Sequence, residues 1–182
     1  MKQFIFRRKL KSLKKNHNRD KKFVNYNDIR SVLIIYESDA NEKNPEIKSI
    51  AKSLQEDGKK VTTCGFVNKK HSDTLILERA YMIDTSHVNF FGEPNMNFIK
   101  GLLHTKFDVV LDLTLSEILP LQYVLVYADA SFKAGRKTAN LDLLDFMIDV
   151  EKENDEKTSS ATDVNYLFKQ IIFYLKSIES HN

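Results

Sequence analysis

The stretch that decides the fold opens with Val32-Leu33-Ile34-Ile35-Tyr36 and closes with Val61-Thr62-Thr63-Cys64-Gly65-Phe66. Five apolar residues in a row mark a strand buried on both faces, the position of a central strand in a parallel sheet. The loop Glu37 to Lys43 follows it. Asn44-Pro45-Glu46 then reads as an N-cap, a first helical residue and an acidic first turn. Ile47, Ile50, Ala51 and Leu54 recur at helical spacing, and Gly58 stands where a left-handed residue ends a helix. With Val61–Phe66 as the second strand, the stretch is one β-α-β unit, a connection that is almost always right-handed.

The alternation continues toward the C-terminus. Leu75-Ile76-Leu77 begins a short helix or strand, and Tyr81-Met82-Ile83 reads as a third strand. Phe90-Phe91-Gly92-Glu93-Pro94 is a turn leading into a helix around Asn97 to His104. Phe107-Asp108-Val109-Val110-Leu111-Asp112-Leu113 is the most strand-like run after the first. A helix carrying Leu121, Val124, Leu125 and Ala128 comes next, with Pro120 tolerated near its start. Phe132–Ala134 and Phe146–Ile148 fit short strands at a sheet edge. The polar, acidic run Glu151 to Ala161 is expected to be a surface loop. Thr162 or Asp163 caps a last helix whose stripe is Val164, Leu167, Phe168, Ile171, Ile172, Leu175 and Ile178. The expected fold is α/β: a single Rossmann-like domain, residues 28–182, with a mostly parallel sheet flanked by helices. A basic N-terminal helical arm, residues 1–27, precedes it.

Composition agrees with one globular domain: 182 residues, 42% hydrophobic and 10% aromatic. The single cysteine, Cys64, excludes an internal disulfide and suits a reducing, cytoplasmic compartment. No stretch approaches the length of a membrane span, and Phe4-Ile5-Phe6 is too short for the apolar region of a secretory signal.

Charge is split unevenly. Ten bases lie within residues 1–22 (Lys2, Arg7, Arg8, Lys9, Lys11, Lys14, Lys15, Arg19, Lys21, Lys22) against Asp20 alone, a net +9. The rest of the chain, with 18 bases and 24 acids, carries −6. A helix from about Gln3 would align Phe6, Leu10 and Leu13 in one stripe amid the bases. Three readings of this arm stay open. RNA, the ribosome above all, would be held by lysines and arginines that displace counterions from phosphates. An anionic membrane would take the stripe and attract the charges. Alternatively, the stripe docks on the protein's own domain or on a second copy.

Standard catalytic equipment is missing. A phosphate cradle needs glycines, and none of Gly58, Gly65, Gly92, Gly101 and Gly135 lies in the loop after the first strand. That loop is acidic instead, which disfavours a dinucleotide or other phosphate-bearing cofactor. No Cys/His cluster has zinc spacing, so no metal is expected. Cys64 sits in a strand, and His71, His87 and His104 show no spacing that pairs a base with a nucleophile. Tyr26, Tyr36, Phe90 and Phe91 read as packing residues. Carboxylates and hydroxyls after the strands (Glu37, Asp39, Asp84, Asp112, Thr114, Ser116, Glu117) are able to form an acidic pocket for a small ligand or a cation. They serve equally well as caps facing water.

The run Phe107–Leu113, with Pro120-Leu121-Gln122-Tyr123, Lys133-Ala134-Gly135-Arg136-Lys137 and Asn89-Phe90-Phe91-Gly92, resembles a bacterial protein family described only as a domain of unknown function. The resemblance spans most of the chain and implies no activity. The same strand and helix are similar to the N-terminal lobe of heptosyltransferase-type GT-B glycosyltransferases. That similarity implies an α/β lobe; such transferases add a second lobe for the sugar nucleotide. The function expected from the sequence is therefore a non-catalytic, RNA-associated protein acting through its arm. A small enzyme or ligand-binding protein with an acidic strand-end pocket is the first alternative, and membrane association through the arm is the second.

Overall fold

The computed structural model describes residues 4–6, 8–9, 12, 19–38, 44–70, 79–138, 143–150 and 163–178. Among the described residues six strands form one sheet: β1 (Ser31–Ser38), β2 (Lys60–Val67), β3 (Ala80–Asp84), β4 (Lys106–Asp112), β5 (Asp129–Arg136) and β6 (Phe146–Ile148). Their order is β3-β2-β1-β4-β5-β6, and every pairing among them is parallel. The helices are α1 (Pro45–Glu56), α2 (Lys100–Leu103), α3 (Leu119–Tyr127) and α4 (Val164–Ser177). Among the described residues no helix is long and apolar enough to cross a membrane.

The run Val32–Tyr36 is apolar throughout because both faces of β1 are covered. Successive side chains point to opposite faces of a strand. Val32, Ile34 and Tyr36 pack with α1 (Ile47, Ile50, Leu54) and α4 (Leu167, Ile171, Leu175). Leu33 and Ile35 pack on the other face with Leu102, Leu121, Val124 and Leu125, from α2 and α3. Cys64 joins that second layer fully buried, and burial pushes its thiol up to about 12. Asp108 clamps the starts of β1 and β4. Its carboxylate accepts from the Arg30 and Ser31 N–H groups, both at 2.8 Å.

Local signals mostly act as read. Pro45 opens α1, and Gly58 beyond it has φ +76°. Asn44 sits at the N-cap, yet its side chain turns to Ser38 Oγ (2.9 Å) and leaves the helix uncapped. Asp163 is the N-cap of α4, accepting from Asn165 N at 2.9 Å, and Thr162 lies outside the described residues. Three corrections arise. The helix expected over Asn97–His104 shrinks to α2, because Asn95 and Asn97 stay in a turn where the Asn95 side chain accepts the Asn97 N–H. The strand expected at Phe132–Ala134 is eight residues long and lies inside the sheet, between β4 and β6. Lys133 and Gly135 interrupt its apolar pattern and hide its length. Phe90 and Phe91 are exposed, unlike the buried Tyr26 and Tyr36. Leu75–Leu77 and Glu151–Ala161 lie outside the described residues.

Candidate functional site

Strand order turns round between β1 and β4, and in open α/β sheets ligands enter the crevice at that point. Glu37 lies near the end of β1, exposed, and accepts from Ser116 Oγ at 2.8 Å. Asp112 ends β4, half-buried, and accepts from the Thr114 N–H (3.1 Å) and hydroxyl (2.7 Å). Burial lifts the Asp112 carboxyl above its ordinary range, opposed by those two donors and by the Arg136 charge. Asp112, Thr114 and Glu117 line one cavity with Gln122 and Leu125. It measures about 20 Å³, roughly the room a single water needs.

Asp84 is not part of this pocket. It ends β3, three strands from β4, or about 14 Å at the usual strand spacing. There it caps a short turn, accepting from Ser86 N (2.8 Å) and His87 N (3.3 Å). Asp39 lies outside the described residues. No group of three or more His, Cys, Asp or Glu among the described residues is placed to hold a metal. Two polar atoms here were not legible in the sequence. Gln122 Oε1 and Arg136 Nε are buried and make no hydrogen bond among the described residues.

The described residues of the arm dock on the domain. Phe4–Phe6, Arg8, Lys9 and Ser12 are helical, and Phe6 is fully buried. Its ring meets Tyr123 of α3 edge-on at 4.7 Å, with Leu119, Val126, Tyr127 and Leu143 around the pair. Lys9 pairs with Glu93 and lies 5.6 Å over the Tyr123 ring. Further along, Arg19 pairs with Asp145 and donates to the Ala130 carbonyl at 3.0 Å. Lys21 reaches the same carboxylate at 3.1 Å, and Lys22 N donates to Ser131 O of β5. Arg8 and Lys22 are exposed. Arg7, Lys11, Lys14, Lys15 and the stripe residues Leu10 and Leu13 lie outside the described residues.

Asp145 organises this dock. Burial pushes its carboxyl up, yet Arg19, Lys21 and the Lys133 N–H hold it below the usual range. Glu93 behaves alike: burial raises it, while Lys9, Tyr127 and Asn89 bring it below the ordinary value. Lys133 of β5 is buried, its ammonium donating to the Leu125 carbonyl near the end of α3. Burial, with Arg19 nearby, lowers its pKa to about 7.

A six-stranded parallel sheet in the order 3-2-1-4-5-6, covered by helices on both faces, defines a doubly wound, Rossmann-like α/β protein. Here it lacks a glycine in the loop after β1. Within that class the chain belongs to the family described as "Family of unknown function (DUF6913)", whose model matches residues 2–178 and so takes in the arm. No curated protein and no solved structure matches the chain. None of these comparisons bears on the similarity to glycosyltransferase lobes.

Proposed function

We propose that this is a non-catalytic, cytoplasmic, RNA-associated protein that binds the ribosome or ribosomal RNA through its basic N-terminal arm. The observation that carries this reading is the +9 charge of residues 1–22 on a chain otherwise at −6. Counting the partner acids Glu93 and Asp145 with the arm still leaves it at +7. Solubility does not require such clustering, whereas phosphate binding does. The docked aromatic and ion pairs support it further. Docking fixes part of the arm on the domain while Arg8 and Lys22 stay exposed, and cations held in place lose less entropy on meeting a polyanion than those of a free arm would. The small strand-end cavity and the absence of a glycine loop both fit a domain that positions the arm.

Sedimentation of the intact protein with ribosomes tests this. The protein is expected to travel with ribosomes at about 50 mM salt and to leave them by about 200 mM. Its absence from ribosomal and RNA fractions at the lower salt would sink the proposal.

A further inference from the structure

The turn Val88–Pro94 holds two phenylalanines out in solvent. Phe90 is 76% exposed and Phe91 44%, with their rings edge-to-face at 5.6 Å. Burying a phenylalanine ordinarily stabilises a fold, so a turn that keeps two outside forgoes that gain. The turn is also tightly built. Val88 bridges Pro94, and Asn89 accepts through its side chain from Phe91 N (2.9 Å) and Glu93 N (3.0 Å). Gly92 has φ +79°, and a Cβ there would lie 2.8 Å from Leu119 of α3. Only glycine satisfies both conditions. Glu93 is fixed by Lys9 from the arm and by the Tyr127 hydroxyl at 2.9 Å. The aromatic tip is thus fastened to α3 and to the arm at once.

Its surroundings are those of a binding face. An open groove of about 470 Å³ runs beside the turn, lined by Ser86, His87, Asn89, Glu93, Asn95 and Met96. That volume is in the range of small-molecule sites. The one carboxylate in that lining, Glu93, is countered by Lys9. On the arm, the exposed Arg8 guanidinium lies 5.8 Å over the ring of Phe4, itself 64% exposed. Exposed aromatics on a turn tied through Glu93 to an arm with exposed Arg8 and Lys22 match unpaired RNA: base faces stack on rings while phosphates meet the cations. A duplex offers no free base faces, and an acidic protein surface would use the charges but not the rings.

We infer that the Phe90–Phe91 tip stacks unpaired bases of a bound RNA, that the adjoining groove receives a nucleotide, and that the arm holds the flanking phosphates. This inference rests on the RNA reading above and names its substrate class as single-stranded.

The test measures anisotropy with an unstructured RNA of about 12 nucleotides and with a duplex of the same length, using the full chain. The wild type is expected to favour the single strand. Phe90→Ala with Phe91→Ala is expected to weaken single-strand binding roughly tenfold while duplex binding and the salt slope stay unchanged. Arg8→Gln with Lys22→Gln is expected to weaken both RNAs and to flatten the salt slope. Wild-type single-strand affinity in the phenylalanine variant, with weakened binding in the cation variant, overturns the stacking inference and leaves the RNA reading standing. No binding of either RNA by the wild type overturns both. Loss of binding to phosphatidylserine vesicles in the phenylalanine variant, with RNA binding intact, would assign the tip to a membrane and overturn the inference too.

Discussion

Phe6 stands edge-on to Tyr123, the ring centroids 4.7 Å apart, and both side chains are closed off from solvent. That contact helps to explain why α3, Gln122 apart, carries apolar residues on both its inner and its outer side. Its inner residues Leu121, Val124 and Leu125 face the sheet, and its outer residues Leu119, Tyr123, Val126 and Tyr127 lie under the arm. A helix with apolar residues on both sides needs cover on both.

Phe6→Ala is therefore expected to cost about 3 kcal/mol of stability, the usual range for emptying a buried aromatic site. A urea melt of the full chain reads this as a lowered midpoint. An unchanged midpoint would mean that the arm does not help to hold the fold. For the same reason, deleting residues 1–22 should destabilise the domain as well as remove charge, so binding is better probed by point substitutions.

The Arg19–Asp145 pair is largely buried, with side-chain exposures of 9% and 11%. Arg19→Met leaves the Asp145 carboxylate with Lys21 as its only cation among the described residues. Breaking a buried pair from one side typically costs about 3 kcal/mol. Arg19→Lys should restore only part of the loss, since lysine cannot span Asp145 and the Ala130 carbonyl with one planar fork. Chemical denaturation of the three proteins decides this, and equal midpoints would refute it.

Acid should release the arm. Asp145 and Glu93 both titrate below their ordinary values in the folded state. Their contribution is present above the unfolded carboxylate pKa, near 4, and is lost as pH falls through the depressed folded values. The protection of the amides at residues 4–6, 8–9 and 19–22 against hydrogen exchange, relative to an unfolded peptide at the same pH, should fall steeply below about pH 4. Glu93→Gln should blunt that fall at residues 4–6 and 8–9, the half it anchors.

Lys133 acts in the alkaline direction. Its folded pKa is about 7, well below the value near 10.4 of an unfolded lysine. Between those values the unfolded chain holds the extra proton, so stability climbs with pH by up to about 1.4 kcal/mol per unit. Below pH 7 the whole penalty of a buried charge applies. Lys133→Met is expected to remove this climb, and melts at pH 7 and pH 9 will show whether it does.

Much of the fold was readable because its signals are local. The continuous run Val32–Tyr36, the Asn44-Pro45 start and Gly58 each act within a few residues, and the structure keeps them in the roles read for them, apart from the Asn44 side chain. Strand β5 reads too short in the sequence because Lys133 looks like a surface residue until its acceptor, the Leu125 carbonyl, is known. The candidate site was less legible. The sequence groups Asp84 with Asp112 because both follow strands, and only the strand order reveals that β3 and β4 stand far apart. Arg19 and Asp145 lie 126 residues apart in the chain, and no spacing rule reaches that distance. The arm's apolar stripe could be seen at Phe6, whereas its dock on Tyr123 could not.

The most direct test of the central claim is the salt dependence of RNA affinity for two full-length proteins. One is the wild type; the other carries Gln at Arg8, Lys11, Lys14, Lys15 and Lys22, and retains the docking residues Phe6, Lys9 and Arg19. The slope of log K against log salt should be steeply negative for the wild type and shallower by several units for the variant, because each lost phosphate contact removes about 0.7 to 0.9. Identical slopes and affinities for the two proteins would contradict the account, since the arm's cations would then play no part in binding.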